Sequence, residues 1–280
     1  MDGILSLEST DIKTGIRRKD ILIKKPQVDQ TCSPKIEVKV PPAGVMYKLR
    51  DLKGELVQAW KEVFKGCDQV EVSEGDIFKN APAADAIVSP ANSFGYMDGG
   101  IDLAYSRHFG WQLMNRLQEI IMTEKDGELL VGDAIIIPTC QQFWGNTEKT
   151  SWEGFNQGTP IKYLISAPTM RVPDDVSDSI NAYLAFRAVL IAVQKHNANT
   201  SKTGLLPISS VLCPGLATNV GRMPPKKCAK QMKCAYEVYE LKKDQYLQNP
   251  ESLGSVWEHQ LYMASDDDYN PEITFLEEES

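Results

Sequence analysis

From Val45 onward the chain switches between two hydrophobic rhythms, a period of two and a period near 3.6, separated by loops of small residues. Val45-Met46-Tyr47-Lys48-Leu49 alternates as a strand, and Leu56, Val57, Trp60, Val63 and Phe64 then recur at helical spacing until Gly66. Val70-Glu71-Val72 predicts a second strand and Ala84 to Val88 a third. One long helix is predicted over roughly Asp102 to Met122, with Leu103, Leu113, Leu117, Ile120 and Ile121 on its buried side. Ala134 to Ile137 and Lys162 to Ala167 read as a fourth and a fifth strand, and the region from Gly204 to Leu212 as a sixth. Two further helices are expected. One runs from Ser177 to Lys195, with Ala182, Ala185, Val189 and Val193 in series. The other runs from Pro224 to about Asp244, its proline at the first turn, where a missing N–H costs nothing.

Strands and helices in alternation predict a three-layer α/β/α sandwich around a central sheet of about six strands. The rhythm is confined to residues 43–250. Residues 1–42 mix charges, Ser, Thr and Pro and read as an N-terminal extension, ending at Pro41-Pro42. Residues 251–280 end in Leu276-Glu277-Glu278-Glu279-Ser280 and read as an acidic, solvated C-terminal tail. Residues 141–160 form a loop longer than a plain connection needs, a candidate lid or insertion. Its aromatics, Phe143, Trp144, Trp152 and Phe155, either cover a ligand or a target protein or pack the loop onto its own domain.

Composition narrows the function. With 42% hydrophobic residues in 280, the chain can bury a full core. A net charge of −8 argues against a sequence-independent grip on nucleic acid, which needs many uncompensated Lys and Arg. The six cysteines have neither CxxC pairing nor scaffold density and read as reduced thiols. Only three histidines are present, none spaced with cysteines for zinc. The acidic start Met1-Asp2-Gly3 lacks the basic, apolar pattern of a signal peptide, and the longest apolar window, Tyr183 to Val193, is too short for a membrane span. The expectation is an intracellular, cytoplasmic protein. Neither GxxxxGK[ST] nor GxGxxG occurs, so no nucleotide cofactor is expected.

In an open α/β sheet, ligands sit at the carboxyl ends of strands, on loops that lead into helices. Two loops there are built from small residues. SPANSFGYMDGGID, residues 89–102, follows the third strand; its Gly99 and Gly100 allow a phosphate to approach backbone N–H groups at a helix start. CPGLATNVG, residues 213–221, follows the sixth strand. Two such cradles suggest a diphosphate.

With both loops placed, the chain resembles a macrodomain, the ADP-ribose-binding fold, over about Val45 to Gln245. Val72-Ser73-Glu74-Gly75-Asp76-Ile77 is similar to the family's strand ending in Gly-Asp-Ile, and Ile87-Val88-Ser89-Pro90-Ala91-Asn92 to its Asn-Ala-Ala-Asn turn. Gly99-Gly100-Ile101-Asp102 matches the glycine loop, and Gly215-Leu216-Ala217-Thr218-Asn219-Val220-Gly221 resembles the second phosphate loop. The resemblance implies that Asp76, beside Ile77, accepts from the adenine amino group, that Asn92 faces the distal ribose, and that Asp102 acts there in hydrolytic members. It implies ADP-ribose and mono-ADP-ribosylated protein as partners. Asp98, four residues before Asp102, would add a second negative charge near the anomeric carbon, raise the pKa of one carboxyl and favour a cationic leaving group such as arginine. Ser89 and Pro90 depart from the commonest pattern, and Ala217 and Asn219 replace glycines, of which Asn tolerates positive φ better. Each residue also has a plainer role: Asp76 as a turn residue, Asn92 as a staple for loop backbone, Asp102 as a helix N-cap, His108 as an ordinary helix residue.

Overall fold

The computed structural model of the protein describes residues 44–139, 152–243, 247–250 and 252–266. The N-terminal extension, Phe143 and Trp144 of the long loop, and the final acidic run lie outside the described residues.

Six strands and six helices follow in the order β1 (Met46–Asp51), α1 (Gly54–Val63), β2 (Val70–Glu74), β3 (Ala86–Ser89), α2 (Gly100–Phe109), α3 (Trp111–Glu124), β4 (Ile135–Pro138), β5 (Tyr163–Ser166), α4 (Asn181–Thr203), β6 (Ser210–Cys213), α5 (Pro225–Tyr239) and α6 (Leu253–Ala264). The sheet order is β2-β1-β6-β3-β5-β4. Every neighbouring pair is parallel except β4 against β5, so the sheet is mixed. Parallel central strands are buried on both faces, which is why Ala86 to Ser89 and Tyr163 to Ser166 are buried throughout.

Alternate residues of each central strand enter opposite cores, as period-two geometry requires. Ala86 and Val88 join Trp60, Phe186 and Met232 in the core beneath α1, α4 and α5. Ile87, between them, joins Phe109, Leu113 and Leu117 in the core beneath α2 and α3. The three-layer α/β arrangement expected from the sequence is therefore present.

Three elements differ from the sequence expectation. The helix predicted over Asp102 to Met122 is two helices, α2 and α3, broken at Gly110, whose φ of +90° a helix interior does not accommodate. α4 runs on to Thr203 and stops at Gly204 in the left-handed conformation, a common helix end. The segment read as a solvated tail begins with α6. Met263 of α6 is buried, while Leu253, Trp257 and Leu261 of the same helix are exposed. Gln231 Nε2 of α5 donates to the Met263 carbonyl at 3.1 Å, and Lys230 Nζ to the Ser265 carbonyl at 2.7 Å. No helix among the described residues is long and apolar enough to cross a membrane.

Candidate functional site

The carboxyl ends of β2, β1, β6, β3 and β5 open into one cleft of about 510 Å³. Of the residues singled out in the sequence, Asp76, Ile77, Asn92, Asp98, Gly99, Gly100, Ile101, Asp102, Gly215, Ala217, Thr218, Asn219, Val220 and Gly221 all line it. Leu216 does not: its side chain is fully buried in the core under α1, α4 and α5. Five segments distant in sequence thus converge because parallel strands all end on the same edge.

At the β3 side, Gly99 is the N-cap of α2 and Asp102 is the third residue of its first turn. The capping role open to Asp102 in the sequence is thus taken by Gly99. The Asp102 carboxylate turns instead toward the sheet, where Ser89 Oγ at the end of β3 donates to its Oδ1 at 2.5 Å. Ser89 is fully buried and Asp102 only 8% exposed. Burial raises the Asp102 pKa to about 7, and the Ser89 hydrogen bond works against that rise. Desolvation, not the charge of Asp98, is thus what raises it; Asp98 stands exposed on the cleft wall.

Asn92 serves the loop it belongs to. Its Oδ1 accepts from the N–H groups of Phe94 at 3.1 Å and Tyr96 at 3.3 Å, and its Nδ2 donates to the Tyr96 carbonyl at 2.8 Å. One Nδ2 hydrogen is left for a ligand. Gly100 has φ +55°, and a Cβ on either Gly99 or Gly100 would stand in open space. The backbone there is bare toward the cleft.

The second loop is packed tightly. A Cβ on Gly215 would come within 2.8 Å of Asp51 Oδ2, and one on Gly221 within 2.6 Å of the Ala217 carbonyl oxygen. The left-handed residue of this loop is Ala217, at φ +61°, and not Asn219, although Asn suits that region better.

Asp76, after β2, uses Oδ1 to accept from the N–H groups of Phe78 and Lys79, both at 2.9 Å, so it does close a turn. Its Oδ2 remains for a donor from the cleft. The turn is held from below by Arg50 of β1. Arg50 Nε donates to the Asp76 carbonyl at 2.7 Å, one terminal nitrogen to Ser73 Oγ at 2.9 Å and the other to the Lys79 carbonyl at 3.2 Å.

Arg50, Asp51 and Lys53 line the cleft and were not singled out as site residues in the sequence. Asp51 Oδ1 accepts from the Lys53 N–H at 2.9 Å and Oδ2 from the Gly215 N–H at 3.0 Å, while Lys53 Nζ donates to the Thr218 carbonyl at 2.6 Å. These bonds lash the β1–α1 turn to the second loop. The signal that finds them is positional: they sit at a strand's carboxyl end, like the two glycine loops. Ser89 carried no signal beyond its departure from the family turn.

The described aromatics of the long loop pack on their own domain. His108 stacks on Phe78 at 4.1 Å and meets Trp152 and Phe155 edge-on, both at 4.9 Å. None of the three lines the cleft. His108 is a packed helix residue whose pKa is lowered by burial.

A mixed sheet between two helical layers, with two small-residue loops facing one cleft at the strands' carboxyl ends, defines an open-sheet α/β domain. The family model for the macro-like domain matches residues 56–249, and the chain belongs to that family. Similar solved structures include the macrodomain of Mycobacterium tuberculosis DarG, 19% identical over 59% of this chain and 88% of that one, with a TM-score of 0.43. The macrodomain of Thermus aquaticus DarG is 15% identical over 69% and 93%, with a TM-score of 0.43. A variant of the Oceanobacillus iheyensis macrodomain, solved with ADPR, is 20% identical over 66% and 91%, with a TM-score of 0.41. No curated protein matches the chain.

Proposed function

We propose that this protein binds ADP-ribose in the cleft and hydrolyses mono-ADP-ribose from modified protein side chains, with arginine the preferred linkage. The observation that carries the reading is Asp102. A carboxyl with its pKa near 7, at the mouth of a helix and beside a bare glycine backbone, is suited to take a proton at neutral pH.

Asp76 at the β2 end receives the adenine amino group, and the two loops hold the diphosphate by backbone N–H groups. At the β3 end the distal ribose meets Asn92 and Asp102. Ionised Asp102 accepts a proton from water as the water oxygen bonds to C1″. The bond from C1″ to the side-chain nitrogen breaks, and its electron pair leaves with the guanidine, which takes up the proton that Asp102 received from water. Asp98, exposed on the same wall, adds negative charge that favours a cationic guanidinium over a neutral ester.

The test is incubation with arginine-linked and glutamate-linked mono-ADP-ribosylated proteins, with Asp102→Ala in parallel, reading released ADP-ribose. Release from the arginine linkage that is lost in Asp102→Ala is the expected result. Undiminished arginine hydrolysis by Asp98→Ala removes the linkage argument.

A second reading, a module that binds ADP-ribose or ADP-ribosylated protein without turnover, is favoured by one observation: both Asn92 polar atoms already serve the 92–96 turn. Tight ADP-ribose binding with no release from either linkage decides for it. Turnover of free ADP-ribose derivatives, the third use of such a cleft, is read in the same assay with those compounds as substrate.

A further inference from the structure

Resting on the reading of the ligand as ADP-ribose, we propose that Lys53 is a ligand-binding residue that pairs with the diphosphate, so that the site selects its ligand by charge as well as by backbone shape.

Asp76 follows β2 and Asp102 lies beyond β3, and between those strands the sheet places β1 and β6. Three strand spacings separate β2 from β3, a span of about 14 Å. A ligand lying across these ends, base over β2 and sugar over β3, carries its central linker over the ends of β1 and β6. Lys53 follows β1, and its Nζ reaches the Thr218 carbonyl of the loop after β6 at 2.6 Å. It therefore stands where that linker crosses.

Among the described residues two cations line the cleft, Arg50 and Lys53. Arg50 is buried, and all three of its guanidinium nitrogens are engaged with the 73–79 segment. Lys53 is exposed, and among the described residues no carboxylate lies within ion-pair distance of it. Its one side-chain partner is a carbonyl, which leaves two ammonium hydrogens for a phosphate oxygen. The nearby carboxylate, Asp51, has each oxygen committed to a backbone N–H. The other carboxylates of the lining, Asp76, Asp98 and Asp102, belong to the two ends of the cleft, so the cation is confined to its middle.

The experiment is calorimetric titration of the wild-type protein, Lys53→Gln and Lys53→Arg with ADP-ribose at low and at moderate salt, with adenosine as an uncharged probe. One charge-assisted contact corresponds to about a tenfold change in affinity. The expected result is about tenfold weaker ADP-ribose binding by Lys53→Gln at low salt, a shallower salt dependence, recovery in Lys53→Arg, and unchanged adenosine binding. Equal ADP-ribose affinity and salt dependence in wild type and Lys53→Gln overturns the inference. So does a loss shared by adenosine, which would mean that Lys53 only shapes the loop through Thr218. Wild-type protein that binds no ADP-ribose at any salt overturns the ligand reading itself, and this inference with it.

Discussion

Ser89 Oγ and Asp102 Oδ1 stand 2.5 Å apart, a serine from the last position of β3 donating to a carboxylate from the first turn of α2. A hydroxyl that donates to a carboxylate stabilises its ionised form. Ser89→Ala removes that donor and leaves burial unopposed, so the Asp102 pKa rises above about 7. If ionised Asp102 is the base, the alkaline-rising limb of the pH–rate profile moves to higher pH in Ser89→Ala, and Ser89→Thr restores it. A profile that drops in height without moving would show that Ser89 acts only on structure.

Asp102 also carries a cost in stability whose sign follows from its pKa. The folded protein holds the carboxyl proton up to about pH 7, whereas the unfolded chain releases it near pH 4. The stability contributed by protonated Asp102 is therefore complete below about pH 4 and is lost as pH rises through 7, a difference of about 4 kcal/mol. Asp102→Asn cannot ionise. In urea unfolding it should be more stable than wild type at pH 8 by up to this amount, with the advantage shrinking toward pH 4. Parallel pH dependence in the two proteins would contradict the assignment.

The two glycine loops should answer mutation in opposite ways. Gly99 has an ordinary extended backbone and open space at its Cβ position, so Gly99→Val folds at a cost of about 1 kcal/mol, that of a valine at an N-cap. Its side chain enters the cleft, and ADP-ribose affinity falls about tenfold or more. Gly221→Ala drives a Cβ against the Ala217 carbonyl oxygen at 2.6 Å and costs about 1–3 kcal/mol before any ligand is added. Thermal unfolding and ligand titration of both variants separate the two effects.

Ala217 holds a left-handed φ of +61° although its methyl group is buried in the core. Ala217→Gly relieves strain of about 1–2 kcal/mol against a glycine entropy cost of about 0.5–1 kcal/mol. Losing the buried methyl costs about 0.8 kcal/mol more, so the expected net effect lies within about 0.5 kcal/mol of zero, read from the denaturation midpoint. A midpoint lowered by more than this would show that the methyl group contributes more than the backbone strain.

Much of the architecture was legible because parallel strands and amphipathic helices leave different periods. Ile87, flanked by Ala86 and Val88, reads as a core strand at sight, and the glycine loops announce themselves by lack of bulk. The break at Gly110 was harder to see, since apolar residues on both sides keep a helical spacing through it. The acidic run near Ser280 drew attention away from Trp257 and Met263, which build α6. At the site, strand ends and small residues led to the right edge of the sheet, but not to Ser89, Arg50 or Lys53. Hydrogen bonds between residues 13 to 165 positions apart have no period to betray them.

The bonds from Arg50 have a consequence for how the protein breathes. Among the described residues β2 is an edge strand paired only with β1, whereas β3 is flanked on both sides, so the ladder at β2 is expected to open more readily. Asp76 hangs from that edge, and Arg50 is the bracket that keeps it in place. One end of the cleft therefore rests on a central strand and the other on a strand at the edge of the described sheet. A ligand that spans both ends is expected to slow amide exchange along β2 more than along β3.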